Sequence, residues 1–369
     1  MYSVSDAWIE ATNNFLAPEG FVEISCYIPE IDDTLVYTKS DLLSFTHSQT
    51  GSVVSGELPK NHIEFALDNS DGRWNPSNPR GMERHLSERL RITLRYGYDI
   101  DGVVEWIPGG VFYLSEWKTS PNSLEASFVA RDLLEYMIDI PCSTKWHGTL
   151  YEVAEHAIAD TDIPEDAVVI LSDELKKYSM MSWGSEESGS VAEVLQKCAN
   201  AAGCVMYQDR EGALRIEKLS HADSGYVIPL SLSYSHPTVE FSKPLKSISI
   251  RYGSDESEYV LEHESKGETQ TLSNDFIQSE EQVANIAEWL RSNLRSRKRI
   301  SGDFRIDPRV DLFDVVRVED KYGVVCGAVI TDLRYTFTGA FRGEYTGQVR
   351  GVVVDEAVFC GEVFTGEVS

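Results

Sequence analysis

Apolar and polar residues alternate along the first 130 or so positions of the chain. Val22, Ile24, Cys26 and Ile28 are spaced by Glu23, Ser25 and Tyr27. Ile63, Phe65 and Leu67 follow the same rhythm, and so do Ile92, Leu94 and Tyr96. A period of two places one strand face in a core and the other in water. Turn chemistry separates these runs at Asp71-Gly72, Asp101-Gly102, Gly109-Gly110 and Pro121-Asn122. The stretch WNPSNPRG, Trp74 to Gly81, is too rich in proline and asparagine for a central strand and is predicted to be a long loop.

The rhythm changes over residues 131–224. Leu150–Ala159 reads as a helix. Ser190 and Glu193 have capping-box spacing, and Val191, Val194, Leu195, Cys198 and Ala202 then form one apolar stripe that Gly203 ends. Two short strands, Cys204–Gln208 and Ala213–Leu219, are joined by the turn Asp209-Arg210-Glu211-Gly212. This is a small α/β segment. From residue 225 strands return, at Leu245–Tyr252, Tyr259–His263, Val315–Glu319, Val324–Tyr335 and Tyr345–Val354. A helix over about 279–297 interrupts them, with Ser279 and Gln282 as its capping box and Val283, Ile286, Ala287, Leu290 and Leu294 on one face. The fold class is therefore mainly β with an α+β insertion, divided as 1–130, 131–224 and 225–369. ITLRYG at Ile92–Gly97 and ISIRYG at Ile248–Gly253 suggest that the outer regions are two copies of one β-barrel unit, with these strands equivalent.

A length of 369 residues fits two or three domains. No run of about 18 apolar residues spans a membrane, and MYSVSDAWIE lacks the basic and apolar regions of a secretory signal. Cys26, Cys142, Cys198, Cys204, Cys326 and Cys360 form no CxxC pair and sit mostly among apolar neighbours, so they read as reduced core thiols. The formal net charge of −27 opposes nucleic-acid binding. The one basic run, Arg295, Arg297, Lys298 and Arg299, falls at the predicted end of the second-half helix, where cations suit the dipole.

No catalytic, cofactor-binding or metal-ligating set emerges. Asp68-Asn69-Ser70-Asp71-Gly72 lacks the alternating acids and distant glutamate of a calcium loop and reads as a turn. Asp307, Asp311 and Asp314 could crowd an ion, but Pro308 and apolar neighbours mark a loop entering a strand. His147 and His156 have no partner at metal spacing, HExxH and a serine nucleophile elbow are absent, and no glycine-rich loop precedes a helix. Trp74, Trp106, Phe112, Tyr113, Trp117 and Phe128 suit a barrel core better than a sugar platform.

The run VSGELPKNHIEFALDNSDGRWNPSNPRG, followed by LRITLRYGY, GGVFYLSEW and LEASFVARDLLEYM, resembles the opening domain of tail hub proteins of long-tailed bacteriophages, including the hub-like N-terminal region of siphophage tail-associated lysins. SVAEVLQKCANAAGCVMYQDREGALRIEKL resembles their helix-plus-hairpin piece, and DLFDVVRVEDKYGVVCGAVITDLRYTFTGAFRGEYTG their late barrel. The resemblance implies two tail-tube-like β-barrel domains flanking the α/β segment, and a homotrimer that adapts a hexameric tail tube to a threefold tip. The implied partners are a distal tail protein or tail tube ring, the tape-measure protein, and downstream tip or fibre proteins. The resemblance also implies that phage DNA passes through the channel without specific binding, and that the protein resides in the virion tail tip after assembly in the host cytoplasm. Many relatives continue into a fibre or lytic domain, and none is expected after VFCGEVFTGEVS. Two other classes stand beside this reading: a receptor- or carbohydrate-binding module built on residues 74–128, and a cell-wall hydrolase, for which no catalytic constellation is present.

Overall fold

The computed structural model describes residues 1–14, 18–52, 57–120, 123–142, 146–183, 189–219, 223–294, 296–305, 307–323 and 325–350. The chain is mainly β with a few helices. Helix α1 (Asp6–Asn13) precedes β1 (Gly20–Ile28), β2 (Asp33–Tyr37), β3 (Leu42–Thr50), β4 (Lys60–Asp68), β5 (Arg91–Ile100), β6 (Val103–Thr119) and β7 (Glu125–Arg131). The middle holds β8 (Trp146–Thr149), α2 (Leu150–Ala159), β9 (Val169–Leu171), β10 (Ser179–Trp183), α3 (Val191–Ala201), β11 (Val205–Gln208) and β12 (Leu214–Glu217). Then come β13 (Asp223–Ile228), β14 (Thr238–Phe241), β15 (Leu245–Tyr252), β16 (Ser257–Glu262), β17 (Glu268–Asn274) and α4 (Glu280–Leu294). The last strands are β18 (Lys298–Phe304), β19 (Val315–Glu319), β20 (Val325–Phe337) and β21 (Phe341–Arg350).

Both ends of the chain enter one 13-stranded sheet, in the order β14-β18-β21-β20-β3-β4-β7-β6-β5-β1-β2, with β19 and β13 branching from β20. The seam is the antiparallel pairing of β3 with β20, from Phe45 opposite Phe337 to Thr50 opposite Asp332. The sheet curls over one apolar core. Tyr96 of β5 lies 5.7 Å from the rings of both Tyr335 of β20 and Phe341 of β21, although four strands separate β5 from β20 along the sheet. Gly20 permits this closure, because a Cβ there would lie 2.7 Å from the Phe341 ring. Trp8, Ile24, Phe45, Ile63, Phe112 and Phe304 are buried in this core, each contributing roughly 1.5–3 kcal/mol of transfer free energy. The alternation read at Val22–Ile28, Ile63–Leu67 and Ile92–Tyr96 is the inward face of β1, β4 and β5.

A second core forms under α2, α3 and α4. It carries the β11-β12-β9 sheet, in which β9 runs parallel to β12, and the β16-β15-β17 sheet, in which β17 runs parallel to β15. Ile248, Ile250 and Leu272 share this core with Val194, Leu195, Ile286 and Leu290. The helix starts follow the predicted chemistry. Ser190 and Glu193 close a capping box on α3, as do Thr149 and Glu152 on α2. On α4, Ser279 accepts from the Gln282 amide at 3.2 Å. The Gln282 side chain does not return to Ser279; it accepts from Gln278 N and donates to Ala201 O on α3 at 2.8 Å.

Several expectations are corrected. ITLRYG lies in β5, antiparallel to both neighbours in the large sheet. ISIRYG lies in β15, at the centre of a separate three-stranded sheet with one parallel partner. The two are not equivalent; a short alternating run specifies a half-buried strand and no particular neighbour. Gly109-Gly110 is no turn. β6 runs through it, and Gly109 is the extra residue of a bulge between the pairs Leu94–Gly110 and Arg95–Pro108. The α4 helix stops at Leu294, and Lys298 and Arg299 belong to β18, where pairing with β14 and β21 overrides helix propensity. Cys26, Cys142, Cys198 and Cys204 are buried thiols. Cys326 carries a disulfide, which corrects its reading as a reduced thiol; such a bond depends on which sulfurs packing brings together. Pro121-Asn122, Arg295, Cys360 and the end of the Tyr345–Val354 strand lie outside the described residues.

Candidate functional site: a buried polar junction and the sheet edges

The hairpin between β11 and β12 is held rigid by Asp209. Its Oδ1 accepts from the amides of Glu211 and Ala213 at 3.0 and 2.9 Å, and its Oδ2 from Arg215 Nε at 2.6 Å. This turn drives Arg210 into the interior, where it is 8% exposed. Arg210 Nε donates to Asp311 Oδ2 at 3.1 Å, and its Nη atoms donate to the carbonyls of Pro308 at 2.8 Å and Val310 at 3.1 Å. Gln49 of β3 donates to the other Asp311 oxygen at 2.9 Å. Burial pushes the Asp311 carboxyl upward, but Arg210 and Gln49 outweigh it and hold it below the ordinary carboxylate range. A tip of the α/β unit is thus locked to the loop preceding β19 and to the large sheet.

The three aspartates of that loop do not converge on an ion. Asp311 takes Arg210, Asp307 takes Arg309 Nε at 2.7 Å, and Asp314 takes the Met1 amine. Asp307 also accepts from Trp8 Nε1 and Thr12 Oγ1 of α1, each at 3.3 Å. Among the described residues, no group of three or more His, Cys, Asp or Glu side chains is placed to hold a metal.

Two titratable groups lie deeper. His47 of β3 sits between Tyr96 Oη at 2.6 Å and Asn61 Oδ1 at 2.8 Å, and burial lowers its pKa to about 4. Asp132 follows β7 and caps the short turn Leu133–Tyr136, accepting from Leu134 N at 3.1 Å. Burial raises its pKa to about 7. The next amide, Leu133 N, donates to Gln208 Oε1 at 2.9 Å, and Gln208 Nε2 donates to Val111 O of β6 at 2.7 Å. These contacts form a second tie between the sheet and the α/β unit. The sequence reading assigned no role to Arg210, His47, Gln49 or Asp132. The signal for Arg210 was the acid-led turn Asp209–Gly212, but a turn arginine is ordinarily solvated. Only the facing loop shows that this one is not.

Among the described residues, three strands of the large sheet pair on one side only: β2 and β14 at the ends of the main path and β13 at the end of its branch. β14 is exposed along its whole length, with Val239 at 40% and Phe241 at 66%. On β2, Val36 is 49% exposed. An unblocked strand edge offers a row of backbone donors and acceptors to another chain. Of the aromatic residues singled out in 74–128, Trp74, Phe112, Tyr113 and Phe128 are buried, and Trp106 and Trp117 are half-buried.

No family model matches the sequence, and no curated protein matches it. The fold is shared with solved phage tail proteins. The 43 kDa tail protein of prophage MuSo2 from Shewanella oneidensis is 13% identical, covers 89% of this chain and 98% of its own, and superposes with a TM-score of 0.61. A tail protein from Neisseria meningitidis is 12% identical over 89% of this chain and 96% of its own, with a TM-score of 0.61. A type VI secretion component from E. coli, described as structurally similar to tail proteins of phage T4, is 8% identical over 84% of this chain and 74% of its own, with a TM-score of 0.51. In this chain the shared fold is a large sheet joined to an α/β unit through the contacts of Arg210 and Gln208.

Proposed function

We propose that this chain is a structural subunit of a phage tail tip, the baseplate hub, and works as a homotrimeric adaptor between a hexameric tail tube and a threefold tip. The observation that carries the reading is the single open 13-stranded sheet, keyed to its α/β unit and, among the described residues, ending in the one-sided strands β2, β14 and β13. The shared fold with tail proteins over most of the chain supports it. In this reading the two ends of the sheet act as two tube-like units per subunit, so three copies present six. The hub surrounds the channel for DNA and the tape-measure protein, contacts the distal tail protein or tube ring above and tip or fibre proteins below, and has no catalytic role. The charge of −27 per chain keeps DNA from adhering to it.

Electron microscopy of the assembled particle tests this. Three copies should surround the tail axis, with an acidic wall toward the channel. A position in a peripheral fibre, or a net basic inner wall, would sink the reading.

A further inference from the structure

Cys326 is the second residue of β20 and belongs to the core of the large sheet. It is 2% exposed and shares its buried face with Ala328 and Ile330. On one side β20 pairs with β19, where Cys326 stands opposite Val318. On the other it pairs with β21, and the described pairing runs to Gly327 opposite Arg350. The last described residue of the chain therefore lies one strand spacing, about 5 Å, from the residue that follows Cys326.

Cys326 carries a disulfide. The chain has six cysteines. Cys26, Cys142, Cys198 and Cys204 are thiols. Burial pushes Cys26 up to about 11 and Cys204 up to about 12, which suppresses the thiolate that attacks in disulfide exchange. The sixth cysteine is Cys360, ten positions beyond Arg350 and outside the described residues. Ten residues reach about 33 Å when extended. The way back from Arg350 to Cys326 is a small part of that, so residues 351–359 are long enough to close a loop. Their composition suits contact with an apolar sheet: Val352, Val353, Val354, Val358 and Phe359 are among them, and Asp355 and Glu356 are their only charges.

We propose that Cys326 and Cys360 form a redox-controlled latch, a disulfide that folds the segment 351–360 back onto the start of β20. Formation joins the two sulfurs, and the two protons and two electrons they lose pass to an external disulfide, which becomes two thiols. Reduction reverses the exchange and frees the segment. The bond holds the segment in oxidising surroundings and releases it where thiols are kept reduced. The partner is in the same chain because Cys326 sits within the core, out of reach of a second copy while the sheet is intact. This goes beyond the hub reading and does not depend on it.

Cysteine labelling of the full chain tests it. After incubation with oxidised glutathione, the chain unfolded in denaturant should take four N-ethylmaleimide labels, against six after reduction with dithiothreitol. Trypsin cleavage after Arg350 should leave the 351–369 peptide attached to the Cys326 peptide until reductant is added. In the native protein, subtilisin should remove that segment at least about tenfold faster after reduction. The melting temperature should fall by at least about 2 °C on reduction. Cys360→Ser should take five labels after oxidation and after reduction alike, and should show neither response to reductant. The proposal is overturned if six labels enter after oxidation, or if Cys326 is recovered linked to another cysteine or to a second chain. It is equally overturned if subtilisin removes the segment at one rate in both states, or if Cys360→Ser still responds to reductant.

Discussion

Arg210 concentrates the energetics of the junction in one side chain. Its partners come from the loop before β19 and from β6, so its loss leaves the half-buried Asp311 without its cation and the Pro308 and Val310 carbonyls without their donor. Arg210→Met should cost about 3–5 kcal/mol, as breaking one half of a buried pair does. Replacing Arg210 and Asp311 together with apolar residues should recover much of that. Denaturant melts of the two variants check this; equal losses in both would mean that the charge pair is not the organising contact. His47 and Asp132 make a paired prediction about pH. The His47 pKa in the fold is near 4, below its unfolded value, so its contribution is present above about 6.5 and is lost as pH falls toward 4. The Asp132 pKa in the fold is near 7, above its unfolded value, so its contribution is present below about 4 and is lost as pH rises through 7. Between about 4 and 6.5 the two slopes oppose each other. Asp132→Asn should therefore expose a steeper acid limb and raise stability at pH 8 by on the order of 2 kcal/mol or more. Chemical denaturation from pH 4 to 8 reads both effects, and unchanged curves would remove Asp132 from the account.

At the scale of elements, local and tertiary signals agree best at α3. The Ser190 cap, Glu193 and the apolar stripe through Cys198 all act within one helix. Ser190→Ala should cost about 1 kcal/mol, read as a shift in the denaturation midpoint without a change in its slope. The β14 edge makes a different prediction. Phe241 and Val239 pack little in the monomer, so Phe241→Lys should leave monomer stability within about 0.5 kcal/mol. If the edge is an assembly surface, the same change should abolish association between copies in sedimentation experiments, because a lysine blunts strand pairing. Association that persists at parent strength would place the subunit contact elsewhere. β6 shows what an element borrows from its neighbours. Its 17 residues pass through Pro108, Gly109 and Gly110, which local chemistry marks as a break. β5 carries it through, with Gly109 left over as a bulge, and β7 pairs with it only from Tyr113 to Thr119.

For the whole molecule, charge opposes the proposed assembly. In the proposed ring, chains each carrying −27 repel one another, so strand pairing and apolar contacts would have to offset the repulsion. Lowering salt from 0.1 M to 0.01 M lengthens screening from about 10 Å to about 30 Å, and the assembled oligomer should loosen. Light scattering across that range checks this; an oligomer that tightens at low salt would show that its interfaces are held by opposite charges.

The class of the fold, most strand faces, α2, α3 and the loop character of Trp74–Gly81 were legible in the amino-acid order. Each depends on period, capping or turn chemistry, which act over a few residues. The pairing of β3 with β20 was not legible, nor were the departure of β15–β17 to a separate sheet and the burial of Arg210 and Asp132. These rest on contacts between segments roughly 50 to 290 positions apart. Alternation says that a strand has an inner face but not which strand lies beside it. A charged residue in a turn reads as solvated until the fold brings an opposite charge and a row of carbonyls over it. The sequence by itself determined the inner faces of β1, β4 and β5, the starts of α2, α3 and α4, and the net negative charge. Tertiary structure alone decided that both ends share one sheet, because strand partners are chosen by shape and backbone hydrogen bonding across the whole chain.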